Sequence, residues 1–128
     1  MIIEHLAINV ADAVAMTDWY VKHLRMKIIR QVDGPPYTRF LADEAGRVVL
    51  EIYQQSAPVP DYASMDPMTF HIAFVASDVD AECHRLVAAG ATMAMPPAAA
   101  ANGDVLAMLR DPWGVCIQLA KRSVPLLG

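Results

Sequence analysis

The chain has 128 residues, 55% of them hydrophobic and 19% charged, enough to bury a core and too apolar for a disordered segment. Ten Lys and Arg against fourteen Asp and Glu leave a net charge of −4. The basic residues are scattered, which excludes the electrostatic footprint of a nucleic-acid binder. No stretch approaches the roughly 20 consecutive apolar residues a membrane span needs, and MIIEHLAINV puts Glu4 and His5 where a signal peptide is apolar.

In chain order, residues 2–9 are rich in Ile, Leu and Val and predict a strand. Asp12 suits a helix N-cap, and 13–24 carries Val14, Trp19, Val21 and Leu24 at near-helical spacing. Strands follow at 26–31 and 37–42. The polar turn DEAG then joins 37–42 to an apolar run from Val48 to Gln54. The Pro-rich stretch Ser56–Met68 reads as a crossover loop. Beyond it come a strand at 69–75, a helix at 79–89 capped by Asp78 and stopped by Gly90, and a strand at 91–95. A small-residue loop, PPAAAANGD, precedes strands at 105–110 and 115–121 that flank the turn DPWG. The expected organisation is one domain, with a first unit at 1–55, the crossover at 56–68, a second unit at 69–121 and a tail at 122–128. Cys83 falls in a helix and Cys116 in an apolar strand; both read as buried thiols, and the expected compartment is the cytoplasm.

The order of elements repeats. HLAI at 5–8 falls over HIAF at 71–74 and Asp12 over Asp78, an offset of 66 residues (5 to 71, 12 to 78). With one residue of gap, VLEI at 49–52 falls over CIQL at 116–119. The repeated order, with polar residues in register, indicates internal duplication.

Four polar residues interrupt apolar strands: His5, Glu51, His71 and Gln118. Side chains alternate faces along a strand, so His5 shares a face with Ala7 and Asn9, and Glu51 with Val49 and Tyr53. His71 shares one with Ala73 and Val75, and Gln118 with Cys116 and Ala120. Each taken alone reads as a packed or solvated polar residue. Two imidazoles, a carboxylate and an amide directed inward from four strands suit a borderline divalent metal such as Ni, Co, Zn, Mn or Fe.

The chain resembles the vicinal oxygen chelate superfamily, which includes glyoxalase I, extradiol dioxygenases, fosfomycin-resistance proteins, methylmalonyl-CoA epimerase and bleomycin-resistance proteins. The carriers are HLAINVAD, DWYVKHL, VVLEIY, HIAFVASD with its helix to Gly90, and DPWGVCIQL, spanning roughly residues 1–121. The resemblance implies an α+β fold of two tandem βαβββ units forming a cupped mixed sheet, helices on the outer side, in a homodimer. It places His5, Glu51, His71 and Gln118 on the four metal-ligand positions. Gln118 departs from the pattern, because metal-using members generally carry Glu there, and an amide cannot act as a general base. Glu51 is the candidate to take that role, with Gln118 beside it.

Asn9, Tyr53 and Cys116 share faces with the proposed ligands, and Trp113 sits at the rim in the DPWG turn; these four are the candidate substrate contacts. Trp19 reads as core. Arg39 and Arg110 are expected either to hold a substrate anion or to lie on a surface face. Loops 54–68 and 96–104, rich in Pro, Ala, Met and Val, favour an apolar or aromatic small molecule over a phosphate or sugar. The expected function is a metal-dependent enzyme chelating vicinal oxygens of a small substrate: a lyase, isomerase or dioxygenase. The alternatives are a non-catalytic, antibiotic-binding protein of the bleomycin-resistance kind, or a member with no metal.

Overall fold

Each half of the chain builds the same ladder of strands around one helix. The computed structural model describes residues 1–127, with the side chains of Val48 and Val49 outside that description. The first unit, Met1–Pro60, contains β1 (Leu6–Asn9), α1 (Ala13–Leu24), β2 (Lys27–Gln31), β3 (Arg39–Ala42) and β4 (Val48–Tyr53). The second, Asp61–Gly128, opens with a 3-10 turn at Tyr62–Ser64. It continues with β5 (Ile72–Val75), α2 (Val79–Ala88), β6 (Thr92–Ala99), β7 (Val105–Arg110) and β8 (Cys116–Lys121). The strands form two four-stranded sheets of order β1-β4-β3-β2 and β5-β8-β7-β6. In each, the first strand pairs parallel with the last and the others run antiparallel. This is the α+β architecture of tandem βαβββ units.

The duplication is visible in the registers. Ala7 pairs with Glu51 in the first unit and Ala73 with Gln118 in the second. The helix entries repeat as well: the Asp12 carboxylate accepts from Ala15 N (2.9 Å) and that of Asp78 from Ala81 N (3.0 Å). An N-cap of this kind satisfies a backbone donor that the first helical turn leaves orphaned. Gln54 Oε1 takes a second such donor, Ala13 N, at 2.9 Å.

Alternation divides each sheet into two faces. Leu50 and Ile52 are buried at 1% and 0% exposure, and a side chain of that size contributes about 1.5–3 kcal/mol when removed from water. Glu51, between them, lies on the opposite face. In the second unit Ile117 and Leu119 are buried, and α2 packs on β6, β7 and β8. Trp19 and both cysteines, Cys83 and Cys116, are buried, and the two thiols are free.

Two expectations need correction. The opening strand begins at Leu6 rather than residue 2, and its repeat at Ile72 rather than 69. Met1, Ile2 and Ile3 are fully exposed, and the parallel ladder starts only where Leu50 faces Leu6. His5 and His71 each therefore sit one residue before a strand. The predicted loop at 96–104 is mostly strand: β6 runs on through Pro96 and Pro97 to Ala99, with register shifts between Met93 and Met95 and between Met95 and Ala98. Proline lacks the N–H a ladder needs, but β6 is an edge strand with only one side to satisfy. Ala100 N→Asp104 O (2.8 Å) and Gly103 N→Ala100 O (3.0 Å) close the short turn that remains.

Candidate functional site

In the first unit β4 brings Glu51 to His5. His5 Nε2 lies 3.1 Å from Glu51 Oε2, and the imidazole meets the edge of Phe40 with ring centroids 5.6 Å apart. Phe40 is the register partner of Glu51 on β3, and the Arg30 guanidinium lies 6.0 Å from its ring centroid. The other imidazole nitrogen, Nδ1, is bonded to the Glu4 carboxylate. That hydrogen bond is the main reason the His5 pKa is raised; partial burial opposes it, and the charges of Glu4 and Glu51 add to it.

Glu4 is the residue sequence reasoning missed. Alternation puts neighbours on opposite faces of a strand, which argues against a Glu4–His5 contact. Because the strand begins after His5, the two side chains can reach each other.

In the second unit His71 and Gln118 flank the β5–β8 ladder. His71 Nδ1 is 2.8 Å from the carbonyl of Pro67. A carbonyl only accepts, so Nδ1 is the donor in this bond. Gln118 is buried at 8% exposure. It lines a cavity of about 350 Å³ with Met68, Met95, Ala98, Leu106 and Met108 among its neighbours. Cys116, on the same face, is fully buried with Sγ 3.9 Å from Met108 Sδ, and burial pushes its thiol pKa up.

The remaining sequence candidates have mainly structural contacts. Asn9 donates to the carbonyls of Gln55 (3.2 Å) and Ala57 (2.7 Å) and accepts from Gln55 N (2.7 Å), stapling the start of the crossover. Tyr53, half-buried, is its register partner on β4. Trp113 lies in the Asp111–Gly114 turn, its backbone N–H donating to Asp111 Oδ1 at 2.9 Å, and is not part of the cavity wall. Arg39 donates to Val32 O at 2.6 Å. Arg110 donates to the carbonyls of Tyr62 (3.0 Å), Gly114 (3.1 Å) and Met65 (2.7 Å). Both guanidiniums hold backbone, which answers the question of what these cations do.

The donors fit a divalent cation in their chemistry. With Nδ1–H given to Glu4, His5 Nε2 and the Glu51 carboxylate would face each other as two lone pairs unless a proton or metal ion lies between them. An acceptor on the far nitrogen of each histidine is the arrangement that orients a metal-ligating imidazole. Among the described residues no group of three or more His, Cys, Asp or Glu gathers around one point. Nor is any helix long and apolar enough to cross a membrane.

Comparison with known proteins gives the setting. No curated protein is significantly similar in sequence. A glyoxalase-related enzyme from Fulvimarina pelagi has a similar structure, with TM-score 0.75 and 18% identity over 100% of this chain and 93% of that one. Glyoxalase I from Zea mays gives 0.73 and 22% over 94% of this chain, which spans only 44% of the maize chain. TnmS3, an antibiotic binding protein from Streptomyces sp. CB03234, gives 0.69 and 21% over 96% and 97%. Likeness at such identities concerns the fold. The family profile of the Glyoxalase/Bleomycin resistance protein/Dioxygenase superfamily matches residues 2–119, and the chain belongs to that superfamily.

Proposed function

We propose that this chain is a metal-dependent enzyme of the glyoxalase/dioxygenase type that holds two adjacent oxygens of a small substrate. The observation that supports this most is His5, whose Nε2 faces the Glu51 carboxylate at 3.1 Å while Glu4 takes Nδ1. The donors we propose are His5 and Glu51 in the first unit and His71 and Gln118 in the second. A divalent cation held by such donors would supply Lewis acidity toward the substrate oxygens. Glu51 holds or moves the proton, because Gln118 has no basic oxygen to do so. Gln118 contributes a neutral amide and leaves the ligand set one negative charge short of a two-carboxylate site.

Metal analysis of protein purified without added ions tests this reading. Stoichiometric Ni, Co, Zn, Mn or Fe, lost in the His5→Ala/His71→Ala double variant, is expected; no metal under any loading condition overturns it. Glu51→Gln should abolish turnover while Gln118→Ala mainly weakens metal binding, and equal loss of activity from both counts against Glu51 as the base.

A second reading, a non-catalytic small-molecule binder, is favoured by the almost wholly apolar wall of the Gln118 cavity and by the likeness to an antibiotic-binding protein. We also propose a cytoplasmic homodimer. The free, buried cysteines support the compartment. Val75 (90% exposed) and Ile3 (88%) support self-association, and a strict monomer by light scattering at micromolar concentration rejects it.

A further inference from the structure

The chain has two asparagines, and their surroundings are opposite. Asn9 precedes Val10, a branched and buried residue, and its amide is tied at both ends to the backbone of Gln55 and Ala57. Asn102 precedes Gly103 in the turn that joins β6 to β7, and both residues are exposed. A glycine nitrogen has no side chain beside it, so it can approach the side-chain carbonyl of the preceding residue. Asn102 Oδ1 accepts from Asp104 N at 3.0 Å, which draws electron density from Cγ, the atom such a nitrogen attacks. Nδ2, at the other end of the amide, donates to Asp104 Oδ2 at 3.2 Å.

Asp104 in turn anchors the segment that follows β8. It is buried, and it accepts from Arg122 Nη1 (2.7 Å) and from Ser123 N and Oγ (2.8 and 3.0 Å). A Cβ built on Gly103 would lie 3.4 Å from Ser123 Cβ, so the turn and the tail are in contact. A change at Asn102 is therefore felt at Arg122 and Ser123.

We propose that Asn102 is a deamidation site whose conversion loosens the segment from Arg122 onward. Gly103 N loses its proton to base and attacks Asn102 Cγ. The N–Cγ bond forms, the Cγ–Nδ2 bond breaks, and ammonia leaves with a proton taken from water. Water then opens the cyclic imide at either carbonyl, giving aspartate or, through the side-chain linkage, isoaspartate. No oxidant or cofactor takes part, and asparagine is among the thermally labile residues. Both products replace the Nδ2 donor with an oxygen of a carboxylate, so a hydrogen bond to Asp104 becomes a like-charge contact. Isoaspartate also adds a backbone atom to the turn closed by Ala100 N→Asp104 O (2.8 Å) and Gly103 N→Ala100 O (3.0 Å). The second of these bonds must open before the attack, so conversion in the fold is slower than in an unfolded chain.

The test ages the intact protein in mildly alkaline buffer beside a peptide of residues 98–106, AAAANGDVL. The tryptic fragment 86–110 contains Asn102 and no other side-chain amide, so its mass reports this site alone. It should gain about 1 Da, with isoaspartate detected by methyltransferase labelling, while Asn9 stays intact. Converted protein, separated by anion exchange, should exchange the Ser123 amide hydrogen about tenfold faster than fresh protein. Asn102→Ser keeps an acceptor for Asp104 N and removes the reactive amide, so its Ser123 exchange should not change on ageing. No gain at Asn102 after about ten half-lives of the peptide, or conversion of Asn9 at least as fast, overturns the site. Unchanged Ser123 exchange in the converted protein, or an equal quickening in aged Asn102→Ser, overturns the link to the tail.

Discussion

The His5 imidazole is held between two carboxylates, Glu4 on Nδ1 and Glu51 3.1 Å from Nε2. The two contacts differ in kind. Glu51 comes from the sheet, positioned by the β1–β4 register, whereas Glu4 comes from the exposed segment before β1 and is itself largely exposed. Glu4 thus fixes the tautomer and raises the basicity of the ring without touching the point where a metal would lie.

Removing Glu4 should weaken metal binding without altering the fold. Glu4→Gln keeps size and loses the charged acceptor. Loss of such an outer partner typically costs 10–100-fold in metal affinity, and the exposure of Glu4 places the expectation near 10-fold. Competition with a chelator of known affinity measures it. An affinity unchanged from wild type would mean that the Glu4 contact does not orient His5 in solution, and an altered circular dichroism spectrum would void the comparison.

Much of this was legible in the sequence because duplication gives every signal twice. Asp12 and Asp78 mark two helix starts at one spacing, and the same offset, with one residue of gap, predicts that Glu51 and Gln118 hold equivalent positions; the ladders set them opposite Ala7 and Ala73. What alternation could not give was where β1 and β5 begin, since that depends on backbone partners contributed by β4 and β8. The error put His5 and His71 inside the strands and concealed Glu4. Pro96 and Pro97 signal a loop by composition, yet an edge strand tolerates them. The tasks of Asn9, Arg39 and Arg110 were equally unreadable, because carbonyl groups that need donors leave no trace in a sequence.

Asn9 is expected to act on the crossover more than on a ligand. Asn9→Ala removes three hydrogen bonds to the backbone of Gln55 and Ala57. At a partly exposed site, where water replaces some of them, this should destabilise the protein by about 1–2 kcal/mol. Urea unfolding gives the loss, and hydrogen exchange at the Gln55 amide, which donates to Asn9 Oδ1, should quicken in the variant. Unchanged exchange there would show that the staple does not hold in solution.

Acid stability should depend on Asp104. Its carboxylate accepts from Arg122 Nη1 (2.7 Å), from Ser123 N and Oγ (2.8 and 3.0 Å) and from Asn102 Nδ2 (3.2 Å). The Arg122 bond above all, then the Ser123 N–H, lowers its pKa to about 2 against the opposing effect of burial. The folded state therefore prefers the ionised form more than the unfolded chain does, where the value is about 3.9. The resulting stabilisation is complete above about pH 5 and is lost as the pH falls through about 4 toward 2. Asp104→Asn should lower the urea midpoint at pH 7, and the gap to wild type should narrow below about pH 4 and close near pH 2. A gap independent of pH would assign the effect to packing rather than to the ionised carboxylate.

The turn between β7 and β8 sets the last prediction. Gly114 has φ +91°, and a Cβ built there would lie 2.6 Å from Ala63 N and 2.7 Å from Ala63 Cα. The neighbouring atoms are backbone, and they are held in place: Arg110 bonds the carbonyls of Tyr62, Met65 and Gly114 together. Gly114→Ala therefore meets both a left-handed backbone and a wall that cannot yield, and should cost about 2–5 kcal/mol. Gly46 separates the two causes, since it has φ +80° with nothing within 4 Å of its added Cβ. Gly46→Ala should cost only about 1 kcal/mol, from the backbone alone. Equal losses in the two variants, measured by urea unfolding, would show that the 3-10 turn moves aside and that Arg110 does not pin it.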